Sequence, residues 1–361
     1  MTACAPSPVA IKVPVGIVAL LLTSILITDP ADAIRKSFKE GLRIDFIGLG
    51  LLAVGLGFLQ VVLDKGERDD WFGSHFIVWG AVISAVALIA LIFWELRAKD
   101  PVIELHLLKE RNFAISTLMM YVLGVVMYGT TVLLPLMLQT LMGYTAMQSG
   151  LVLFPGGLLL LAFLPFVGWL LSRIEPRWIV VLGLCIIATG LWELSRFSLE
   201  VSTSTTVFDW AISRVGTAFL FVPINVMAFS FVPPAKTNAA TGFINLARNI
   251  GASTGISFVT TMLDRRAQFH QNRLVPNLTP TNSNYQAALH RLTHALIARG
   301  LDAVHAANLA QHLIYAELQK QAMMLSFVDN FWVMSVISLS VIPLLFLMRS
   351  AKGRGRRAPM H

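Results

Sequence analysis

The feature that most constrains the fold of this chain is a series of long, mostly apolar runs. A helix that crosses the hydrocarbon core of a bilayer, about 30 Å thick, needs about 20 mostly apolar residues, because it rises about 1.5 Å per residue. Eight runs predict such spans, at Ile44 to Leu63, Phe76 to Glu95, Phe113 to Leu138, Leu151 to Leu171, Trp178 to Leu194, Val207 to Val232, Gly242 to Leu263 and Phe327 to Met348. A ninth run, Val13 to Ile27, is shorter. The prediction is an all-α, polytopic membrane helix bundle.

The composition requires the same environment. Of the 361 residues, 56% are apolar and 13% are charged, whereas soluble domains average about 25% charged residues. The net charge is +8, but the basic residues lie in short loops between apolar runs, which favours membrane topology over nucleic-acid binding. We therefore predict the lipid bilayer as a partner and no nucleic acid.

The basic residues also predict an orientation, since cytoplasmic loops carry an excess of Lys and Arg. Sixteen basic residues fall in the connections on one side of the membrane and three in those on the other. The basic side comprises 28–43, 96–112, 172–177, 233–241 and the tail after Met348. The other side comprises 64–75, 139–150 and 195–206. This alternation needs nine crossings, with an external N-terminus and a cytoplasmic C-terminus. It favours Val13 to Ile27 as a truncated span over the alternative, a signal peptide ending at Ala31-Asp32-Ala33.

Residues 264–326 differ from the other connections, because they are polar and the orientation places them outside. Apolar residues recur there at helical spacing, at Leu289, Leu292, Leu296, Leu301, Val304, Leu309, Leu313 and Leu318. They predict two short amphipathic helices, lying at the membrane surface or against a partner. His290 and His294 could share a helix face as metal ligands, but Arg291 stands where a zinc protease has Glu. We interpret them as solvated histidines and predict no metal site.

Two arginines inside the predicted spans, Arg214 and Arg248, are candidates for function. An Arg near the bilayer centre costs at least about 2.5 to 3.5 kcal/mol, so it usually faces a cavity or a partner. Contact between helices, or snorkelling towards an interface, explains them equally well. Glycines and prolines in the spans predict close helix approach, bending or gating; the candidates are Pro155, Gly156, Pro223, Gly251 and Gly255.

Four stretches resemble the fourteen-span drug:proton antiporter branch of the major facilitator superfamily, the EmrB/QacA type. They are Leu153-Phe154-Pro155-Gly156-Gly157, the turn from Gly168 to Arg177, Arg214-x-Gly216 with Pro223, and the run from Ala240 to Gly255, which is the most specific. The turn adds Gly168 and Arg173 to the gating or packing candidates. It departs from the family pattern at Ser172, where an Asp is usual.

The resemblance implies the C-terminal half of a major facilitator fold plus two extra central spans. Its segments would be 1–43, a remnant of the sixth helix and a cytoplasmic loop; 44–112, the extra helix pair and a cytoplasmic linker; 113–348, a six-helix bundle with the external loop 264–326; and 349–361, a basic cytoplasmic tail. The first five helices, with the acidic residues assigned to proton coupling, would precede Met1. We therefore expect an N-terminally truncated member.

The function implied by the resemblance is secondary, proton-coupled efflux of amphipathic small molecules across the cytoplasmic (inner) membrane. The proton gradient would supply the energy, and no cofactor or enzymatic reaction is expected. The substrate-side candidates are Tyr121, Met127, Tyr128, Asn225, Asn245 and Arg248, although helix packing explains each one singly better. Because alternating access needs two halves, the chain could be inactive alone. The alternative is a non-transporting scaffold that docks a periplasmic adaptor protein through 264–326.

Overall fold

The computed structural model describes residues 16–17, 20–24, 45–98 and 104–349. Residues 16–17 and 20–24 are helical and exposed. The later helices are α1 (Phe46–Lys65), α2 (His75–Glu95), α3 (Arg111–Thr140), α4 (Ala146–Leu171), α5 (Pro176–Leu194), α6 (Thr203–Phe229), α7 (Thr237–Leu274), α8 (Ser283–Ile297), α9 (Ala303–Ser340) and α10 (Ile342–Phe346). The predicted all-α fold is confirmed.

Seven helical segments of the described chain are long and apolar enough to cross a bilayer: α1 to α6 and the segment Ala303–Phe346. The eighth predicted span, Gly242 to Leu263, lies within α7 but does not belong to this group. Its hydropathy is diluted by polar side chains, including Asn245, Arg248 and Asn249. By length and composition seven of the eight predicted spans are confirmed, and Gly242 to Leu263 stays a prediction. The run Val13 to Ile27 falls mostly outside the described residues.

The core of the bundle lies around α3. This helix packs along α7 and also contacts α6 and α9, while α5 packs along α6 and α9. Most of the largest fully buried side chains come from α3 and α9, among them Phe113, Leu134, Met137, Phe327 and Phe331. Helices α1, α2 and α4 are mostly exposed along their apolar windows, as expected for surfaces that face lipid instead of water.

Helices α7 and α9 are much longer than a bilayer requires. Each has 38 residues, which at about 1.5 Å per residue gives about 57 Å, nearly twice the hydrocarbon thickness. The second short amphipathic helix expected within 264–326 is therefore wrong, because Val304 to Leu318 forms the first part of α9, continuous with the last span. Residues 319–326 contain no Gly or Pro, and their Gln, Lys, Ala, Met and Leu residues favour continuation of the helix.

The apolar faces of α8 and of the first part of α9 pack against each other. Their shared core consists of Leu296, Ala306 and Ala310, with Leu289, Leu292 and Leu301 packed around it. Gly300 allows the tight connection, since its φ of +98° suits glycine. The Asp302 side chain caps α9 by accepting from the backbone N–H groups of Val304 and His305, both at 3.2 Å. Residues 283–310 thus contain a helical hairpin with a core of its own.

Candidate substrate pathway and polar clusters

Gly251 and Gly255 on α7 lie directly against the backbone of α3. A Cβ at Gly251 would lie 2.9 Å from the carbonyl carbon of Tyr121, and a Cβ at Gly255 would lie 2.6 Å from the Cα of Val125. Gly124 on α3 meets the α7 backbone in the same way. Small residues at such an interface let helix backbones approach closely, which is how membrane helices gain van der Waals contact. The two candidate glycines therefore occupy a close-packed interface.

Arg214 on α6 is buried, and its contacts come from hydroxyl groups and an aromatic ring. Its Nη2 donates to Oγ1 of Thr130 at 2.9 Å, and its Nη1 donates to Oγ1 of Thr131 at 3.2 Å. The guanidinium carbon lies 3.8 Å from the ring centroid of Trp210. Gly156 on α4 leaves room for this arrangement, because a Cβ there would lie 2.8 Å from Trp210 Cδ1. Arg214 therefore joins α3, α4 and α6.

The buried Arg214 cation is stabilised without a carboxylate among the described residues. A desolvated cation–π contact is worth about 2 kcal/mol or more. The Nε of Arg214 has no hydrogen-bond partner in the described chain. Next to it lies a cavity of about 10 Å³, lined in part by Met127, Thr130 and Ser213, which is near the lower limit for one water molecule. Met127 thus faces a space too small for a drug-sized ligand.

Arg248 on α7 and Asn225 on α6 both contact Phe221. The guanidinium carbon of Arg248 lies 5.7 Å from the ring centroid of Phe221. The Nδ2 of Asn225 donates to the backbone oxygen of Phe221 at 2.7 Å, within the same helix. The side chains of Arg248 and Asn225 are half-buried, as is that of Tyr121. Arg248 and Asn225 therefore share one neighbour, Phe221. Tyr121 lies on α3 with its backbone against Gly251, three residues after Arg248 on α7.

Asn245 lies elsewhere, on the side of α7 that faces α1. Two cavities of about 390 and about 190 Å³ lie between the helices, and Leu246 and Asn249 line both, so the two form one continuous groove. At one end the hydroxyl of Ser253 donates to Oε1 of Gln60 on α1. The sequence analysis identified Asn245 but missed Asn249 and the role of α1. The four-residue spacing of the two asparagines was the signal, since it puts them on one helix face.

A charged cluster joins α7 to α9. Oδ2 of Asp329 accepts from Nε of Arg266 at 2.6 Å and lies 2.7 Å from Nε2 of His270. Close by, the Ser326 hydroxyl donates to the backbone oxygen of Leu263 at 2.6 Å. The sequence analysis did not identify this cluster. The i, i+4 spacing of Arg266 and His270 on one helix was the available signal.

The turn that follows α4 contains an aromatic–cation contact. The guanidinium carbon of Arg173 lies 4.3 Å from the ring centroid of Trp169. Ser172 donates from its hydroxyl to the backbone oxygen of Trp169 at 2.7 Å. A Cβ at Gly168 would meet nothing within 4 Å. In this structure, Gly168 is therefore not required by close packing.

The remaining candidates lie inside helices or on the exposed hairpin. Pro155 lies within α4 and Pro223 within α6, where Pro223 is buried. Tyr128 is half-buried on α3. His290 and His294 are exposed on α8, and the described residues contain no group of three potential metal-ligating side chains.

The fold and the buried polar contacts define a polytopic α-helical membrane protein with a close-packed bundle. The chain belongs to the Major Facilitator Superfamily, whose family model matches residues 7–256.

Several known proteins are similar to this chain. The multidrug export protein EmrB of Escherichia coli (strain K12) is 30% identical over 346 residues, covering 96% of this chain and 65% of the relative. The fatty acid resistance protein FarB of Neisseria gonorrhoeae is 28% identical over 339 residues, covering 94% of this chain and 64% of the relative. A solved structure of a bacterial homolog to the human lysosomal transporter Spinster, inward-facing and occupied, is 15% identical with a TM-score of 0.46, over 83% of this chain and 67% of that chain. The chain thus spans slightly less than two thirds of the length of these two curated relatives.

Proposed function

We propose that this chain acts in secondary active efflux of amphipathic small molecules across the cytoplasmic membrane. The observation that carries the proposal is the family match over residues 7–256, together with relatives named for multidrug export and fatty acid resistance. The bundle offers a fitting environment, because it combines buried polar contacts with Met and aromatic side chains. Such surfaces adapt to ligands of varied shape.

The proposed architecture is that of the fourteen-span branch. Residues 44–112 supply the extra central pair and a cytoplasmic linker, and residues 113–348 supply a six-helix bundle. Helix α7 crosses the membrane in this proposal despite its polarity, because its backbone packs along α3, one of the apolar spans. The N-terminus then lies outside, and the tail 349–361 lies in the cytoplasm.

In this proposal, Tyr121, Asn225 and Arg248 line the substrate side where α3, α6 and α7 meet. Asn245 contributes from the other face of α7. Arg214 has a structural role, since Thr130, Thr131 and Trp210 hold it between helices. The close contacts at Gly156, Gly251 and Gly255 likewise support a packing role.

A proton gradient is the proposed energy source. Alternating access requires two halves that rock about a site near the midplane, and the chain covers 65% of the length of its EmrB relative. The most demanding claim of the proposal is therefore that these 361 residues transport substrate on their own, and this claim is the one to test.

Inverted membrane vesicles that contain the full chain provide the test. After a proton gradient is imposed, we expect uptake of a fluorescent amphipathic cation that an uncoupler abolishes. Asn245→Leu should lower this uptake, whereas Thr189→Val, a polar-to-apolar change at an exposed position of α5, should leave it unchanged. Absence of uptake by the correctly inserted chain would overturn autonomous transport.

The long helices favour one second candidate, a scaffold that docks a periplasmic adaptor protein. Helix α9 has 38 residues, and its first part packs with α8 around a separate apolar core. Val304, 69% exposed, lies in this first part. The scaffold function predicts no uptake, together with disulfide or maleimide cross-linking from Val304→Cys to a coproduced adaptor. Uptake by the chain without cross-linking would instead favour the transporter.

A further inference from the structure

The groove between α1 and α7 has two chemically different walls. The α7 wall carries a polar stripe formed by Asn238, Asn245, Asn249 and Ser253. Their spacings of seven, four and four residues put them on one face of the helix. The α1 wall carries Leu52, Leu56, Leu59 and Leu63 with Gln60 among them, and the α7 wall also carries Phe243, Leu246 and Ile250. A molecule in the groove would therefore contact apolar side chains on both walls and amides mainly along α7.

The amides of the polar stripe lack partners. In the described part of the chain, no hydrogen bond is formed by the side chains of Asn238, Asn245 or Asn249, and all three are exposed. Under the proposed topology, in which α7 crosses the membrane, Asn245 and Asn249 lie within it. Polar side chains there usually face a partner or a cavity, because hydrocarbon forms no hydrogen bonds with an amide. The stripe thus indicates a ligand that can accept and donate hydrogen bonds.

The groove has the dimensions of an elongated ligand. From Asn238 to Ser253 the helix rises by about 22 Å at about 1.5 Å per residue. The two cavities along it have volumes of about 390 and about 190 Å³. A Cβ added at Gly242, within the wider cavity, would meet nothing within 4 Å. This space is open, in contrast to the backbone contact on the α3 side of the same helix.

Charged side chains lie at the two ends of the groove, outside its lining. None of the residues lining the two cavities in the described chain is charged. At one end, Lys236 is paired with Glu104. At the other end, Asp64 accepts a hydrogen bond from Gln60 at 3.0 Å. A cationic or anionic head group would find no counter-charge in the lining, so an uncharged polar head fits best.

We infer that the α1–α7 groove binds an uncharged amphiphile with a single acyl chain, open laterally to the bilayer. The acyl chain lies against the leucines of α1, and the hydroxyl-rich head hydrogen-bonds to the asparagines of α7. If the groove is an entry site for substrate, the inference rests on the proposed efflux function and narrows its substrate class. The claim that the groove binds such an amphiphile depends only on the residues that line it.

Photolabelling of the full chain in phosphatidylcholine vesicles tests the site. The probe is a monoacylglycerol that carries a diazirine in its acyl chain. We expect label on peptides from 52–63 and 238–253, and we expect an excess of unlabelled monoacylglycerol to remove it. An alkyltrimethylammonium of equal chain length should compete poorly. Labelling that stays proportional to probe concentration would mean ordinary bilayer contact and would overturn the site.

A pair of glycine substitutions supplies the matched control. Gly242→Leu places a side chain in the groove at a position where a Cβ meets nothing within 4 Å, and it should abolish the saturable labelling. Gly150 on α4 lies outside the groove, and a Cβ there also meets nothing within 4 Å. Gly150→Leu should therefore leave the labelling unchanged. Equal labelling of both variants would overturn the assignment of the binding site to the groove. Stronger competition by the alkyltrimethylammonium than by monoacylglycerol would overturn the preference for an uncharged head group.

The labelling result separates this inference from the proposed function. Saturable labelling without proton-driven uptake would support the groove and contradict autonomous efflux. Uptake without saturable labelling would support efflux and contradict ligand binding in the groove.

Discussion

The two opposite faces of α7 are packed in contrasting ways. Towards α3, Gly251 and Gly255 bring the helix backbones into contact. Towards α1, Asn245 and Asn249 line an open groove. One helix therefore carries both a rigid interface and an accessible polar surface.

The contrast shows how a membrane bundle can retain polar groups without losing cohesion. Lipid tails are as apolar as leucine, so helices associate through close packing and hydrogen bonds, with little hydrophobic driving force. The glycine face supplies that packing. The asparagine face is then free to contact a ligand, because the position of α7 is fixed from the other side.

The largest difference in the free energy of unfolding is expected between two variants that each add one methyl group, one on either face of α7. Gly251→Ala should destabilise the protein by about 1–3 kcal/mol, because the new Cβ overlaps the Tyr121 backbone. Gly242→Ala should stabilise it by up to about 1 kcal/mol, because alanine favours the helix and the site is open. Thermal or denaturant unfolding in detergent measures both changes. Shifts of the same sign would remove the distinction between the two faces.

A smaller difference in stability between two variants is expected when a hydrogen-bonded polar site is compared with the open polar stripe. Thr130→Val removes the hydroxyl that accepts from Nη2 of Arg214 and leaves a buried cation with one hydrogen bond fewer. The cost should be about 1–3 kcal/mol. Asn245→Val, which breaks no hydrogen bond in the described structure, should change the free energy of unfolding by no more than about 0.5 kcal/mol. Equal losses would mean that Asn245 already has a structural partner.

The sequence predicted the spans well because hydropathy over about 20 residues reports directly on the bilayer. Sequence analysis could not assign a role to a residue that either helix packing or substrate contact could explain. Arg214 and Arg248 look alike in sequence, yet one is held by Thr130, Thr131 and Trp210 while the other contacts Phe221. Partners from different helices decide between such explanations, and sequence spacing cannot reveal them.

The polar segment 264–326 shows a second limit of sequence-based prediction. Periodicity correctly located the apolar face formed by Leu289, Leu292, Leu296 and Leu301. It was wrong for Val304, Leu309 and Leu313, which are exposed, while Ala306 and Ala310 pack in their place. It could not show that Val304 to Leu318 continues into the last span, since amphipathic and apolar stretches can share one uninterrupted helix. The absence of Gly and Pro over residues 319–326 was the better guide.

The smallest effect concerns the wall of the groove opposite α7. The buried hydroxyl of Ser84 on α2 donates to the backbone oxygen of Gly55 on α1 at 2.8 Å, and hydrogen bonds between membrane helices average about 0.6 kcal/mol. Ser84→Ala should therefore cost about that amount and loosen α1, so that a cysteine at position 56 reacts faster with a membrane-permeant maleimide. Ser230→Ala, which removes a hydrogen bond only within α6, should not change that rate. An unchanged rate in Ser84→Ala would mean that other contacts fix the α1 wall, which would make the groove as rigid as the glycine face.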